Sequence, residues 1–239
     1  MYKTILYLFF LSIIIAFPAY SHAFFEKPKD MITDSLAVTE LTETQELYNE
    51  LELDSIVNYK MFEEAMIGYN KLDIPNKDII TLIDFSKPST EKRLYVIDLK
   101  EKKVLYTSHV SHGKRSGWKY ATSFSNKMRS NRSSLGFYIT GNTYNGRRGY
   151  SLKLDGQERG INDNAGIRGV VIHGAKYANP DLLSQGEDDR ILGRSLGCPA
   201  LPMSAYRPII NTIKEGTMLF IYADNDTYKQ KSTILKSNT

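Results

Sequence analysis

The sequence predicts a mainly β domain over residues 77–223, preceded by a helical region. Three observations predict it. Short β-branched and apolar runs recur from Ile79 to Tyr222, each closed by Gly, Pro, Asn, Asp or Ser clusters. Helical spacing is confined to residues 41–70 and to a short stretch near 204–214. The 239 residues are 41% hydrophobic and 24% charged, which fits one sizeable core rather than a disordered or fibrous chain.

Residues 1–23 read as a cleaved secretory signal. Lys3 gives a thin basic start, Ile5 to Phe17 is apolar apart from Ser12 and shorter than a comfortable bilayer span, and Ser21-His22-Ala23 follows Pro18. An uncleaved anchor is the alternative. The reading places the protein in the periplasm or cell envelope, without stable membrane insertion once the signal is removed. Residues 24–76 form a linker and an accessory helical segment. The part before residue 41 is polar and mixed, while Tyr59, Phe62, Met66 and Tyr69 share one helical face, with Ser55 as N-cap and Gly68 and Pro75 near the end.

From Ile79 to Ile83 the chain turns β and meets the turn cluster Asp84-Phe85-Ser86-Lys87-Pro88. Arg93 to Leu99 and Val104 to Val110 are two strands across the charged turn Lys100-Glu101-Lys102-Lys103. Residues 111–132 form a long basic loop without periodicity, the kind of insertion that carries function or is disordered. Ser134 to Thr140, Tyr150 to Leu154 and Gly169 to His173 are further strands, and residues 175–193 a second polar excursion. Ser204 to Lys214 is a helix and Thr217 to Tyr222 a dense apolar strand. Residues 224–239 form a polar tail expected to fray.

Net charge is +4, with Glu concentrated in residues 40–64 and Lys/Arg in residues 113–148. For an exported protein this basic stretch points to solvated faces, or to an anionic wall polymer or membrane surface, not to nucleic acid.

Cys198 is the only cysteine, so an exported chain carries a free thiol. His173 ends a β-branched run and precedes Gly174, while Gly197 precedes the cysteine. A thiol reacts as thiolate, and an imidazole that takes its proton and later returns one is what thioester chemistry requires. Backbone N–H groups around Leu196 to Cys198 are oxyanion donors in this reading. His109 and His112 are spaced H-x-x-H, yet the Glu-containing zinc peptidase pattern is absent; a mixed site of His112, His173 and Cys198 is the metal alternative, and the reading adopted has neither metal nor cofactor.

The stretch Ile172-His173-Gly174 … Ser195-Leu196-Gly197-Cys198-Pro199-Ala200 resembles the HG … S-x-G-C signature of YkuD-like L,D-transpeptidases. Ser111-His112-Gly113-Lys114 and Ser133-Ser134-Leu135-Gly136-Phe137-Tyr138 are similar to that family's upstream elements. The resemblance is nearest to the murein L,D-transpeptidase catalytic domain family and covers roughly residues 55–223 in order. It implies a β-rich fold, an L,D-transpeptidase that forms a cysteine acyl-enzyme, and two partners: a peptidoglycan tetrapeptide donor and a stem-peptide amine acceptor. By position Cys198 is the nucleophile, His173 the general base, and the Gly174 carbonyl the group that orients the imidazole. Arg194, Ser195, Leu196, Gly197 and His112 line the substrate or oxyanion loop. Two departures stand out. Leu196 replaces a histidine, and Ala200 replaces the usual arginine or asparagine after the cysteine. Arg194 is then the expected carboxylate-binding guanidinium. Hydrolysis by the same acyl-enzyme, as an L,D-carboxypeptidase, and a silent wall-binding module remain alternatives.

Overall fold

A computed structural model describes residues 42–183 and 191–236. The expected signal, most of the linker and part of the 175–193 excursion lie outside the described residues. The strands form one eight-stranded mixed sheet: β1 (Ile79–Asp84), β2 (Leu94–Asp98), β3 (Lys103–Ser108), β4 (Gly136–Gly146), β5 (Gly149–Gly156), β6 (Val171–Gly174), β7 (Ala200–Leu201) and β8 (Met218–Tyr222). Their order across the sheet is β3-β2-β1-β8-β4-β5-β6-β7, with β1–β8 and β6–β7 parallel and the other pairs antiparallel. The mainly β expectation holds.

Every residue of β1 and β8 is buried, as their near-continuous apolar runs require of strands covered on both faces. The edge strand β3 is mostly exposed or half-buried, which fits its Lys103-Val104-Leu105-Tyr106 mixture. The β2–β3 turn is set by Asp98, whose Oδ1 accepts from Glu101 N at 2.8 Å. Between β4 and β5 the pairing runs to Gly146 opposite Gly149, so Arg147-Arg148 is the whole turn. β7 was not foreseen: two residues carry no periodicity to read.

The region expected to be one helical stretch divides in two, α1 (residues 42–50) and α2 (Tyr59–Lys71). The N-cap of α2 is Asn58, not Ser55; its Oδ1 accepts from Lys60 N at 2.9 Å and Met61 N at 3.4 Å. α2 lays Met61, Phe62, Ala65 and Met66 on the core, α4 (Tyr206–Ile213) adds Tyr206, Ile209, Ile210 and Ile213, and α3 (Ala165–Arg168) is a single turn before β6.

The described part of the C-terminal tail, residues 224–236, is folded where the sequence predicts fraying. α5 (Asp226–Lys231) is capped by Asn225 and buries Tyr228. Glu158, 1% exposed, accepts from Phe137 N and Tyr228 OH on Oε2 and from Ser232 Oγ on Oε1. A buried carboxyl needs donors that replace water, and two side chains of the tail, Tyr228 and Ser232, supply them beside the Phe137 N–H. Ile234 joins the core, and Lys71 Nζ donates to the Ile234 and Lys236 carbonyls at 2.7 Å each. Among the described residues no helix is long and apolar enough to cross a membrane.

Gly68 lets α2 sit on the sheet. A Cβ there would lie 2.1 Å from Phe137 Cε1, and the Phe137 ring is itself stacked on Phe220 at 4.3 Å. Gly68→Ala should therefore lower stability by about 1–3 kcal/mol through overpacking, partly offset by the ~1 kcal/mol that alanine gains in a helix. A urea midpoint equal to or above wild type would contradict this.

Candidate functional site

The parallel pairing of β6 with β7 sets His173 opposite Ala200, two residues beyond Cys198. The cysteine loop that enters β7 is rich in Gly and Ser and buries little apolar surface, so hydrogen bonds shape it. Ser111 N donates to Ala200 O at 2.8 Å, Ser195 N to His112 O at 2.9 Å, and Lys114 N to Ser195 O at 2.8 Å. The Ser195 hydroxyl accepts from Gly197 N at 3.0 Å and donates to Cys198 O at 2.6 Å. Ser133 Oγ accepts from Gly113 N at 3.0 Å and donates to Gly197 O at 3.2 Å, tying the long 111–132 loop to the cysteine loop. Gly197 has φ +123°, and a Cβ on it would meet Arg132 O at 2.8 Å, so this position needs glycine twice over. Its N–H is held by Ser195, so among the expected oxyanion donors Gly197 is the one already engaged, and its part is to shape the loop.

His173 is 3% exposed. Its Nδ1 lies 3.0 Å from Gly174 O, which makes Nδ1 the protonated nitrogen and leaves a lone pair on Nε2. Nε2 is buried without a hydrogen-bond partner among the described residues. Burial, and secondarily the charge of Arg148, hold the imidazole below its ordinary pKa, against the Gly174 bond, so it stays neutral around pH 7.

Cys198 is 2% exposed, and burial pushes its thiol up despite Arg148, the Val171 N–H and Arg168, which pull the other way. Its sulfur contacts Gly169 O at 3.6 Å and Arg148 Nη1 at 3.1 Å. Sequence reasoning missed Arg148. It counted this residue only within a basic stretch, and nothing local brings the β4–β5 turn to a cysteine fifty positions on. Arg168 is fastened to Arg132 O at 2.6 Å and to Ser134 Oγ, which holds α3 against the long loop.

A cavity of about 350 Å³ opens here, lined by Arg147, Arg148, His173, Lys176, Tyr177 and Arg194 among others, and by no carboxylate among the described residues. Leu196 stands at its rim, 50% exposed. A second cavity of about 440 Å³ is bordered by Gly169 and Val171, together with Tyr144, Lys153 and Asp155.

Of the residues expected to line the substrate site, His112 does not and Arg194 does, with part of its guanidinium engaged elsewhere. His112 is completely buried; Arg93 Nη2 donates to its Nδ1 at 2.9 Å and its Nε2 lies 3.3 Å from Gly117 O. Burial and the Arg93 charge bring its pKa to about 4, so it is a neutral ring spanning Arg93 and the long loop. With both nitrogens engaged it has no lone pair for the mixed zinc site, and among the described residues no group of three or more His, Cys, Asp or Glu is arranged to hold a metal. Arg93 is also fully buried, donating to Val110 O and Lys87 O with Phe85 under its plane at 4.8 Å. Arg194 lines the cavity but sends Nη1 to Lys114 O at 3.0 Å and Gly117 O at 3.1 Å, and stacks on Trp118 at 4.3 Å.

The family model for the L,D-transpeptidase catalytic domain matches residues 53–222. No curated protein matches significantly. Among solved structures the chain is similar to an L,D-transpeptidase from Mycobacterium smegmatis, with 14% identity over 61% of this chain and 59% of that one and a TM-score of 0.36. It is similar to the helical cell shape determining protein Pgp2 from Campylobacter jejuni, with 16% identity over 69% and 54% and a TM-score of 0.40. For an L,D-transpeptidase from Stackebrandtia nassauensis the values are 12%, 75% and 75%, and 0.36. The chain thus spans less than two thirds of the length of the first two.

Trp118 is the only tryptophan and reports on the Arg194 clamp. Arg194→Ala should shift its emission and raise its quenching by acrylamide, because the cation–π contact and both backbone bonds are lost. An unchanged spectrum and quenching constant would show that the loop holds without Arg194.

Proposed function

From the premise that this chain belongs to the L,D-transpeptidase catalytic domain family, we propose that it is an exported cysteine L,D-transpeptidase that cross-links peptidoglycan stem peptides through a thioester. One observation carries the reading: a buried imidazole, Nδ1 fixed on Gly174 O and Nε2 unpartnered, on the strand that pairs with the end of the cysteine loop. An orphaned buried acceptor costs about 1–3 kcal/mol, and catalysis is a reason to keep one.

Cys198 is the nucleophile. As its sulfur bonds to the carbonyl carbon preceding the terminal D-residue of the tetrapeptide donor, the thiol proton moves to His173 Nε2. The carbonyl π electrons move onto oxygen, and the resulting oxyanion accepts hydrogen bonds from the Leu196 and Cys198 N–H groups. The C–N bond then breaks and the departing amine takes the proton from the imidazolium, leaving a thioester. An acceptor amine attacks next, gives its proton to Nε2, and Cys198 leaves as thiolate, which recovers the proton from His173. The Gly174 carbonyl keeps the ring in one tautomer throughout. Arg194, Ser195 and Gly197 hold the loop that presents the sulfur, and His112 supports that loop from beneath.

Cys198 lines neither cavity: the smaller borders Arg148 and His173, the larger Gly169 and Val171. The cationic lining of the smaller one suits a donor rich in carboxylates. Export rests on residues 1–23, which supply the route to such a substrate.

Mass spectrometry of mature protein incubated with tetrapeptide muropeptides separates the readings. Cross-linked dimers are expected; tripeptides alone would make it a carboxypeptidase, and unchanged muropeptides a binding module. Cys198→Ala should abolish product, and product from that variant would sink the mechanism. The pH profile follows from the two shifts. The thiol is raised and the imidazole lowered, so at pH 7 the base is ready and the nucleophile mostly protonated. kcat/KM should therefore climb from neutral into alkaline pH, without the acid limb of an ordinary histidine near 6.5. A profile that is flat or falling above pH 7 would oppose this ordering.

A further inference from the structure

The residues around the cysteine in the sequence motif supply no positive charge to the sulfur. Arg194 is spent on the 114–118 loop, and Ala200 has none to offer. His173 does not fill the gap as a resting counter-ion, because its Nε2 has no hydrogen-bond partner and its environment opposes protonation. The group that does touch the sulfur is Arg148, Nη1 at 3.1 Å.

The placement of that guanidinium is specific. It sits in a two-residue turn anchored by the Gly146–Gly149 pair, and the β5–β6 ladder, with Ser151 opposite His173, fixes the turn over the end of β6. The same Nη1 donates to Gly169 O at 3.3 Å, the carbonyl that also lies 3.6 Å from the sulfur. Arginine, sulfur and carbonyl therefore form one cluster, roofed by a hairpin and floored by the Gly169–Val171 backbone.

Resting on the transpeptidase reading above, we propose that Arg148 is a catalytic residue, the counter-ion that stabilises the negative charge on the Cys198 sulfur as it develops during attack and again when the thioester is released. It takes no proton. The thiol proton still passes to Nε2 of His173, and the S–C bond forms and breaks as described. Arg148 lowers the energy of each state in which sulfur carries the charge, and raises that of the imidazolium facing it. The division of labour differs from a thiolate–imidazolium pair: the cation that holds the sulfur is permanent, and the imidazole only relays protons.

The charged and titratable groups bearing on the sulfur are Arg148 from the hairpin, Arg168 from α3, Tyr177 from the segment after β6, and His173 through its shared neighbour Arg148. Of the two cations Arg168 is committed to Arg132 O and Ser134 Oγ, and only Arg148 donates to the sulfur.

The single cysteine makes the test direct. Thiolate absorbance near 240 nm, taken as the difference from Cys198→Ala, is titrated in mature wild type, Arg148→Gln and Arg148→Lys. Removing a cation at this range should raise the thiol midpoint by about one to three units, and Arg148→Lys should recover part of that. Alkylation by uncharged iodoacetamide at pH 7 should slow about tenfold or more in Arg148→Gln, and the gap should close at high pH. Coincident wild-type and Arg148→Gln midpoints would overturn the proposal. So would an Arg148→Lys midpoint as high as that of Arg148→Gln, since charge would then not be the cause. No substrate enters these measurements. Failure to turn over muropeptides would therefore strike the transpeptidase reading and leave the Arg148 result standing, whereas coincident midpoints with normal cross-linking would do the reverse.

Discussion

Two residues of parallel pairing, β6 against β7, hold His173 in register with the end of the cysteine loop, and the site depends on that register. So short a strand is not self-sufficient. It persists because Ser111 pairs with Ala200 on its other side, and because Ser195 exchanges two backbone bonds with the 112–114 segment. The cysteine loop is thereby caught between β6 and the start of the long basic loop. Serine hydroxyls at 133 and 195 satisfy backbone groups that a glycine-rich turn leaves exposed.

Behind that loop lies a buried cation. Arg93 has no exposed surface, and burial pulls its pKa to about 9, against the nearby Asp84 charge. Isolated, such a charge would be costly, yet its donors meet Val110 O, Lys87 O and His112 Nδ1. A group with this many fixed partners orders whatever it touches. It touches the ring of His112, whose carbonyl accepts from Ser195, so the order passes by contact from β2 to the cysteine loop.

The sheet supplies a rigid frame for these loops. β1 and β8 are buried on both faces, α2 presses Gly68 against Phe137, and α5 closes over Glu158. Glu158 also bonds Phe137 N at the start of β4, so the C-terminal segment is coupled to the strand whose far end carries the Arg147-Arg148 turn. Packing far from the sulfur thus decides where the hairpin lies, and the hairpin decides which cation meets the thiol.

Apolar periodicity and turn chemistry are local, and most of the frame was legible from them. β1, β2, β5, β8 and α4 fall within a few residues of where Ile79–Ile83, Arg93–Leu99, Tyr150–Leu154, Thr217–Tyr222 and Ser204–Lys214 put them. The two residue types singled out at Cys198 and His173 do come to neighbouring elements, His173 in register with Ala200; the roles given to them belong to the proposal. The tail, β7, the cap at Asn58 and the meeting of Arg148 with the sulfur were not legible. Each depends on a partner distant in the chain: Glu158 for Ser232 and Tyr228, β6 for Ala200, Cys198 for Arg148. The sequence by itself determined the mainly β class and the residue types able to perform the chemistry. Only the tertiary structure decided which arginine reaches the thiol and which clamps a loop, because a guanidinium's role is set by whatever lies within about 3 Å of it.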